Sequence, residues 1–165
     1  MELNLKGRSA LVTGGSRGIG FGVAERLAAE GCHLHLASRS ADSLDAARKK
    51  LVDAYGVKVS VYPLDLSSHD NAVKLVKSCG NVDILINNAG AIPRGSLTGL
   101  EDQPWREAWD LKLFGFINVA REVYRDMCVR KSGVIINVAG TAGERPSAYG
   151  LLSSQSLSPV QIARS

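Results

Sequence analysis

Short apolar runs alternate with longer amphipathic stretches along most of the chain. The apolar runs, one of which alternates with polar residues, predict five strands, at residues 9–13, 34–37, 57–61, 82–86 and 133–138. Apolar positions three or four apart predict helices at residues 18–30, 42–55 and 104–130, and a further one that begins at Ser67 or Ser68. Strands that alternate with helices indicate βαβ units. The pattern therefore predicts an α/β fold, a doubly wound Rossmann-type parallel sheet of about five strands with helices on both faces.

A glycine-rich turn follows the first predicted strand and reads Thr13-Gly14-Gly15-Ser16-Arg17-Gly18-Ile19-Gly20. The order strand, glycine turn, helix brings backbone N–H groups and the positive end of a helix to bear on a phosphate. The spacing differs from the general Gly-x-Gly-x-x-Gly fingerprint, and a Walker Gly-Lys-Ser/Thr sequence does not occur. We interpret the stretch as a phosphate-binding turn, with an ordinary turn as the alternative.

Composition excludes several other classes of protein. The chain has 165 residues, 45% hydrophobic and 22% charged, as in ordinary globular domains. Its net charge of +4 comes from scattered basic residues, which argues against a nucleic-acid surface. The three cysteines lack the spacing of a disulfide framework or a zinc site, so no metal is expected. The N-terminus has no signal-like apolar segment and the chain has no run of eighteen apolar residues, so we expect a soluble, cytoplasmic protein without a membrane partner.

Two further motifs stand directly after later strands. Leu64-Asp65-Leu66 follows the third strand, and Asn87-Asn88-Ala89-Gly90 follows the fourth. With the glycine turn, and in this order, they resemble the short-chain dehydrogenase/reductase family over about residues 6–148. The resemblance implies a nicotinamide cofactor across the carboxyl ends of the strands, where ligands of open α/β sheets bind. The expected cofactor-binding residues are Gly14, Ser16, Arg17, Gly18, Ile19, Gly20, Ser38, Arg39, Asp65, Leu66, Asn88, Ala89 and Gly90. Among them, the resemblance implies that Asp65 holds the adenine.

The end of the second strand indicates which nicotinamide cofactor fits. An NAD site needs an acidic residue there, about twenty residues past the glycine turn, to accept hydrogen bonds from the ribose 2′-OH. This chain instead has Ser38 and Arg39, and a guanidinium suits a 2′-phosphate. Arg17 could reach the same phosphate. We therefore predict NADP(H) in preference to NAD(H), the alternative being that Arg39 is a solvated residue at the start of a helix.

The catalytic residues of the resembled family are only partly present. The family uses a tyrosine as acid/base with a lysine four positions later, and here Tyr149 is followed by Ser153. The family's serine aligns with Gly140, next to Thr141, and its asparagine in the long helix aligns with Lys112. The candidate catalytic residues are Tyr149, Lys112 and Thr141. Lys112 lies on an otherwise apolar helix stripe, so it either packs its stem on the core with its ammonium in solvent, or supplies a cation near the nicotinamide.

The resemblance stops beyond Ser153. We expect an incomplete NAD(P)-binding Rossmann domain at residues 1–149 and an irregular tail at residues 150–165, with the fifth strand left as an uncovered edge. The predicted function is an NADP(H)-dependent oxidoreductase that transfers hydride between the nicotinamide and a small carbonyl or alcohol substrate. The alternative is a catalytically silent dinucleotide-binding or interaction module. For a complete chain, the resemblance implies that homo-oligomers can form.

Overall fold

The computed structural model describes residues 3–90, 99 and 101–139, and the backbone of residues 163–164. Six strands are present in these ranges, namely β1 Ser9–Thr13, β2 His33–Ser38, β3 Val59–Pro63, β4 Ile84–Asn87, β5 Val134–Asn137 and β6 Ala163–Arg164. The α-helices of the same ranges are α1 Gly18–Ala29, α2 Ala41–Tyr55, α3 His69–Cys79, α4 Asp102–Trp109 and α5 Gly115–Arg130. A π-helical segment, Asp110–Phe114, joins α4 to α5. None of the described helices is both long and apolar enough to cross a membrane.

The strands form one sheet in the order β3-β2-β1-β4-β5-β6. Strands β1 to β5 pair in parallel, so their carboxyl ends meet at one edge of the sheet. The chain moves outward from β1 in one direction and then returns to start again beside it at β4. This reversal confirms the doubly wound Rossmann-type fold, and it creates a crevice at the carboxyl ends of β1 and β4.

Helices cover both faces of the sheet and enclose two hydrophobic clusters. The first cluster lies beneath α1 and α2 and includes Val12, Leu34, Leu36, Leu44 and Ile86. The second lies beneath α3 and α5 and includes Leu11, Leu75, Leu85, Val119 and Val123. Neighbouring residues of one strand, such as Leu11 and Val12, thus enter opposite clusters, because successive strand side chains point to opposite faces. The two-sided burial explains why these strands read as continuous apolar runs.

The predicted single helix over residues 104–130 is wrong in one respect, because the π-helical segment interrupts it. The Gly115 N–H donates to the carbonyl of Asp110, five residues earlier. A π turn shifts the side chains that follow it relative to those before it. Trp109, which the helical stripe predicts as buried, is 38% exposed.

The prediction that β5 is an uncovered edge is wrong at two positions. Ala163 pairs with Ile135 and Arg164 with Val134 in the antiparallel strand β6. An edge strand presents unpaired N–H and C=O groups, to which a returning segment can bond. The rest of the tail predicted at residues 150–165 lies outside the described residues.

Candidate functional site

A cleft of about 720 Å³ lies along the carboxyl ends of the parallel strands. The described residues that line it are Gly14, Ser16, Arg17, Gly18, Ile19, Ala37, Ser38, Arg39, Ser40, Ser43, Leu64, Leu66, Asn88, Ala89, Gly90, Leu111, Lys112, Val138 and Ala139. Ser38, the last residue of β2, forms what we call the Arg39 end together with Arg39, Ser40 and Ser43. Lys112, Val138 and Ala139, beside the end of β5, form the Lys112 end. Three strand spacings separate β2 from β5, so the two ends are about 14 Å apart.

The glycine turn is held close to the loop that follows β4. A Cβ on Gly14 would lie 2.9 Å from Asn88 Nδ2, and one on Gly20 would collide with the Gly14 carbonyl oxygen. Gly14 also adopts a φ of +67°, which favours glycine. Gly14 and Gly18 line the cleft, whereas the buried Gly20 lies beneath it and lets α1 approach the turn. The start of α1 therefore faces the cleft, with its free N–H groups and positive dipole end.

Thr13 ties these two loops together. Its Oγ1 accepts hydrogen bonds from the backbone N–H of Asn88 at 2.9 Å and of Ala89 at 3.1 Å, and it lies 3.4 Å from the Ile86 carbonyl, to which it donates. In return, Asn88 Nδ2 donates to the carbonyls of Thr13 at 3.2 Å and Gly14 at 3.3 Å. The sequence analysis missed this role of Thr13. A hydroxyl residue at the end of an apolar strand, directly before the glycines, was the available signal.

Basic and hydroxyl side chains gather at the Arg39 end. The exposed side chains of Arg17 and Arg39 both line the cleft, although they follow different strands. Ser40 caps α2 by accepting a hydrogen bond from the Ser43 N–H at 3.3 Å, and its hydroxyl lies 3.0 Å from Ser43 Oγ. Of the described lining residues, none carries a carboxylate. Sequence reasoning placed Ser38 and Arg39 here and missed Ser40 and Ser43.

Asp65 stands apart from the other expected cofactor residues. Its neighbours Leu64 and Leu66 line the cleft, whereas Asp65 itself does not. The exposed Asp65 carboxylate accepts hydrogen bonds from Ser67 N at 3.0 Å and Ser67 Oγ at 2.8 Å. These contacts fix the turn that carries Leu66 into the cleft. The role of Asp65 at the adenine stays a prediction.

The π-helical segment brings Lys112 to the other end of the cleft. Its Nζ donates a hydrogen bond to the Val138 carbonyl at 2.7 Å and lies 4.5 Å from the centroid of the Phe116 ring. Gly90 leaves room for its stem, since a Cβ there would lie 3.0 Å from Lys112 Cδ. Lys112 is half-buried, and this burial lowers the pKa of its ammonium. Tyr149 and Thr141, the other candidate catalytic residues, lie outside the described residues.

Buried amides hold the Lys112 end in place. Asn87 Nδ2 donates to the Asn137 side chain at 3.1 Å and to the Phe116 carbonyl at 3.3 Å. These bonds join the ends of β4 and β5 to the first turn of α5. They therefore hold the backbone of Phe116, whose ring contacts the Lys112 ammonium.

The chain is similar to known dehydrogenases and reductases over most of its length. The family model for short chain dehydrogenases matches residues 8–153. A 3-oxoacyl-(acyl-carrier-protein) reductase of Chlamydia muridarum is 33% identical over 151 residues, which cover 89% of this chain and 61% of that protein. A gluconate 5-dehydrogenase of Gluconobacter oxydans is 35% identical over 145 residues, covering 86% of this chain and 56% of that protein.

Solved structures agree with the family match. The L-sorbose reductase of Gluconobacter frateurii, in complex with NADPH and L-sorbose, superposes with a TM-score of 0.88 at 30% identity, over 93% of this chain and 62% of that one. An NAD⁺-bound xylitol dehydrogenase superposes with a TM-score of 0.83 at 27% identity, over 92% of this chain and 61% of that one. The chain thus spans about three fifths of the length of these relatives. It belongs to the short-chain dehydrogenase/reductase family of oxidoreductases.

Proposed function

We propose that the cleft binds NADP(H) in preference to NAD(H), and that the protein transfers hydride between the nicotinamide and a small carbonyl or alcohol substrate. The observation that carries the proposal is the charge of the cleft. Arg17, Arg39 and Lys112 line it, while the described lining residues include no carboxylate to accept from a ribose 2′-OH. The family contains proteins solved with NADPH and proteins solved with NAD⁺, so membership alone does not decide between the two cofactors. The positive charge of the cleft supports NADP(H).

The cleft has a suitable group for each charged part of the cofactor. At the Arg39 end, the guanidinium groups of Arg39 and Arg17 can bind a 2′-phosphate, with the Ser38 hydroxyl beside them. At the glycine turn, the N-terminus of α1 at Gly18 and Ile19 suits the pyrophosphate. The remaining expected contacts are those of Ser16, Leu66, Asn88, Ala89 and Gly90, which line the cleft between the two ends.

The chain's own residues must supply the proton in such a reaction. A bound nicotinamide supplies or accepts the hydride, and a carbonyl oxygen that is being reduced needs a proton from a nearby acid. Among the described residues, Lys112 is the candidate for this acid, because burial lowers its pKa and so makes its ammonium a better proton donor. Tyr149 and Thr141 remain candidates on the sequence alone.

The cofactor preference is tested by replacing Arg39 with alanine. Loss of a charge-assisted contact to the 2′-phosphate is expected to weaken NADPH binding about tenfold or more, with little change for NADH. Arg48→Ala is the matched control. It removes the same charge from the outer surface of α2, where Arg48 pairs with Asp45 at 3.0 Å. Binding is followed by nicotinamide fluorescence. An equal loss for both cofactors in Arg39→Ala would contradict the assignment.

Hydride transfer is tested separately, by adding a panel of carbonyl compounds to the protein–NADPH complex. Oxidation of NADPH that depends on the carbonyl compound, and that slows in Lys112→Met, would support the oxidoreductase. Tight NADPH binding without turnover of any compound would instead favour the silent dinucleotide-binding module.

A further inference from the structure

Lys112 places a positive charge at the cleft without a negative partner in the described part of the chain. Six ion pairs within 4.0 Å join described residues, and Lys112 belongs to none of them. Its pKa is lowered by desolvation alone, with no carboxylate acting in the opposite direction. A half-buried ammonium without a counter-ion is unfavourable, and an anion in the cleft would relieve that cost.

The ammonium also has hydrogen-bonding capacity to spare. An ammonium group carries three N–H donors. One of them donates to the Val138 carbonyl at 2.7 Å, and the Phe116 ring contributes a cation–π contact at 4.5 Å. These two contacts hold Nζ in place and leave donors for a ligand. Two oxygens of one carboxylate match such a pair of donors.

This charge is separate from the one assigned to the 2′-phosphate. Lys112 Nζ lies beside the end of β5, whereas Arg39 follows β2, about 14 Å away across three strand spacings. A single phosphate is not expected to bridge strand ends three spacings apart. The glycine turn, which suits the pyrophosphate, follows β1, which lies two strand spacings from β5. Among the described residues, Lys112 is therefore a separate positive charge, two strand spacings from the glycine turn and three from the Arg39 end.

We propose that Lys112 forms an anion site at its end of the cleft and that this site takes the carboxylate of an oxo-acid substrate. The inference rests on the proposed function and narrows its substrate class to carbonyl compounds that carry a carboxylate. In the reaction, hydride from NADPH goes to the carbonyl carbon. One proton goes to the carbonyl oxygen from a second acid, for which Tyr149 is a candidate on the sequence alone, because the carboxylate and the Val138 carbonyl take the three N–H donors of Lys112. The products are NADP⁺ and the hydroxy acid, and the carboxylate is unchanged.

The test compares acids with their neutral analogues. The probes are 2-oxobutanoate and 3-oxobutanoate, each paired with its methyl ester, and they are titrated into the protein–NADPH complex. At least one acid is expected to bind about tenfold or more tightly than its ester, as one charge-assisted contact predicts. Lys112→Met is expected to abolish this difference and Lys112→Arg to retain part of it. Lys50→Met is the matched control, because Lys50 also lies near an aromatic ring, 5.9 Å from Phe21, but outside the cleft.

A spectroscopic measurement tests the site without turnover. The ¹³Cε resonance of Lys112, assigned by its loss in Lys112→Met, is titrated with pH with and without each acid. A bound carboxylate is expected to raise the pKa of Lys112, because an opposite charge favours the ammonium. This readout needs no cofactor, so it still tests the anion site if NADPH fails to bind. A failure of NADPH to bind would count against the proposed function and not against the anion site.

Three results would overturn the inference. The first is equal affinity of each acid and its ester together with an unchanged Lys112 pKa. The second is a preference for the acid that survives in Lys112→Met. The third is displacement of NADPH by the acids, which would assign the anion site to a phosphate of the cofactor rather than to the substrate.

Discussion

At the scale of single residues, Thr13 holds together the two loops that form the centre of the cleft. It is 1% exposed, and its one hydroxyl satisfies two backbone N–H groups of the loop after β4. The sequence shows this residue only as the last position of a strand. Its importance arises because β1 and β4, more than seventy residues apart in sequence, are neighbours in the sheet.

Thr13→Val is therefore expected to destabilise the protein. Valine has a similar shape but leaves the N–H groups of Asn88 and Ala89 without an acceptor, at about 1–3 kcal/mol for each buried group. Urea denaturation measures the change in the free energy of unfolding. Thr13→Ser keeps the hydroxyl and is expected to lose much less, so equal losses in the two variants would show that the hydroxyl is not the cause.

His35 makes the stability of the protein depend on pH. Its Nδ1 lies 3.0 Å from the Tyr62 hydroxyl, and burial, followed by the charge of His33, lowers the pKa of its imidazole below 6.5. Near the ordinary pKa of a histidine, the unfolded chain therefore binds more protons at this residue than the folded protein does. The free energy of unfolding is expected to fall as the pH is lowered from 7.5 to 5.5. The fall should be smaller in His35→Gln, and an equal fall in both proteins would contradict this account.

At the scale of elements, the junction between α4 and α5 decides where Lys112 points. The π turn places Lys112 beside the end of β5, and α5 begins at Gly115, against the loop after β3. A Cβ on Gly115 would lie 2.8 Å from the Leu66 carbonyl oxygen, so only glycine allows this approach. The junction thus couples the Lys112 end of the cleft to the loop that carries Leu66.

Two glycine-to-alanine substitutions in helices are expected to have opposite effects. Gly115→Ala forces α5 away from Leu66 and should destabilise the protein by about 1–3 kcal/mol. Gly22→Ala, in α1, meets nothing within 4 Å and should stabilise it by about 0.5–1 kcal/mol, because alanine favours the helix. Urea denaturation of both variants checks the pair. A neutral Gly115→Ala would show that the contact with Leu66 is not tight.

At the same scale, the fold is more predictable from sequence than the junction is. Strands β1 and β4 follow from apolar runs because both of their faces are buried, whereas β3 follows from apolar residues that alternate with polar ones. The π turn does not follow, since the approach of Gly115 to Leu66 is a tertiary contact that no helical period records. The residues of the cleft are likewise predictable from the sequence only in part. Arg39 and the glycines belong to local motifs, and Ser43 reaches the cleft through the first turn of α2. Val138 reaches it only because distant strand ends meet.

At the scale of the whole molecule, the described helices cover the two faces of the sheet unequally. On the face beneath α1 and α2, a largely apolar groove of about 1170 Å³ runs along β4 and β5. Its lining includes Val23, Leu27, Ile84, Val134 and Ile136. Within the described ranges, α3 and α5 pack together on the opposite face of these two strands.

This groove is expected to bind a hydrophobic fluorescent dye such as 8-anilinonaphthalene-1-sulfonate. Ile136→Gln should reduce the dye fluorescence, because it makes the floor of the groove polar. Val129→Gln is the control, since Val129 is an apolar residue of α5 that is 84% exposed and lies outside the groove. Equal fluorescence in Ile136→Gln and the unsubstituted protein would place the dye elsewhere.

The charge of this cleft is expected to select a 2′-phosphorylated dinucleotide over one without that phosphate. The most direct measurement is a titration of the unsubstituted protein with NADPH and with NADH, followed by nicotinamide fluorescence at low and at moderate salt. The account predicts that NADPH binds about tenfold or more tightly, and that the difference narrows as salt screens the exposed Arg17 and Arg39. Equal binding of the two cofactors, or tighter binding of NADH, would contradict it.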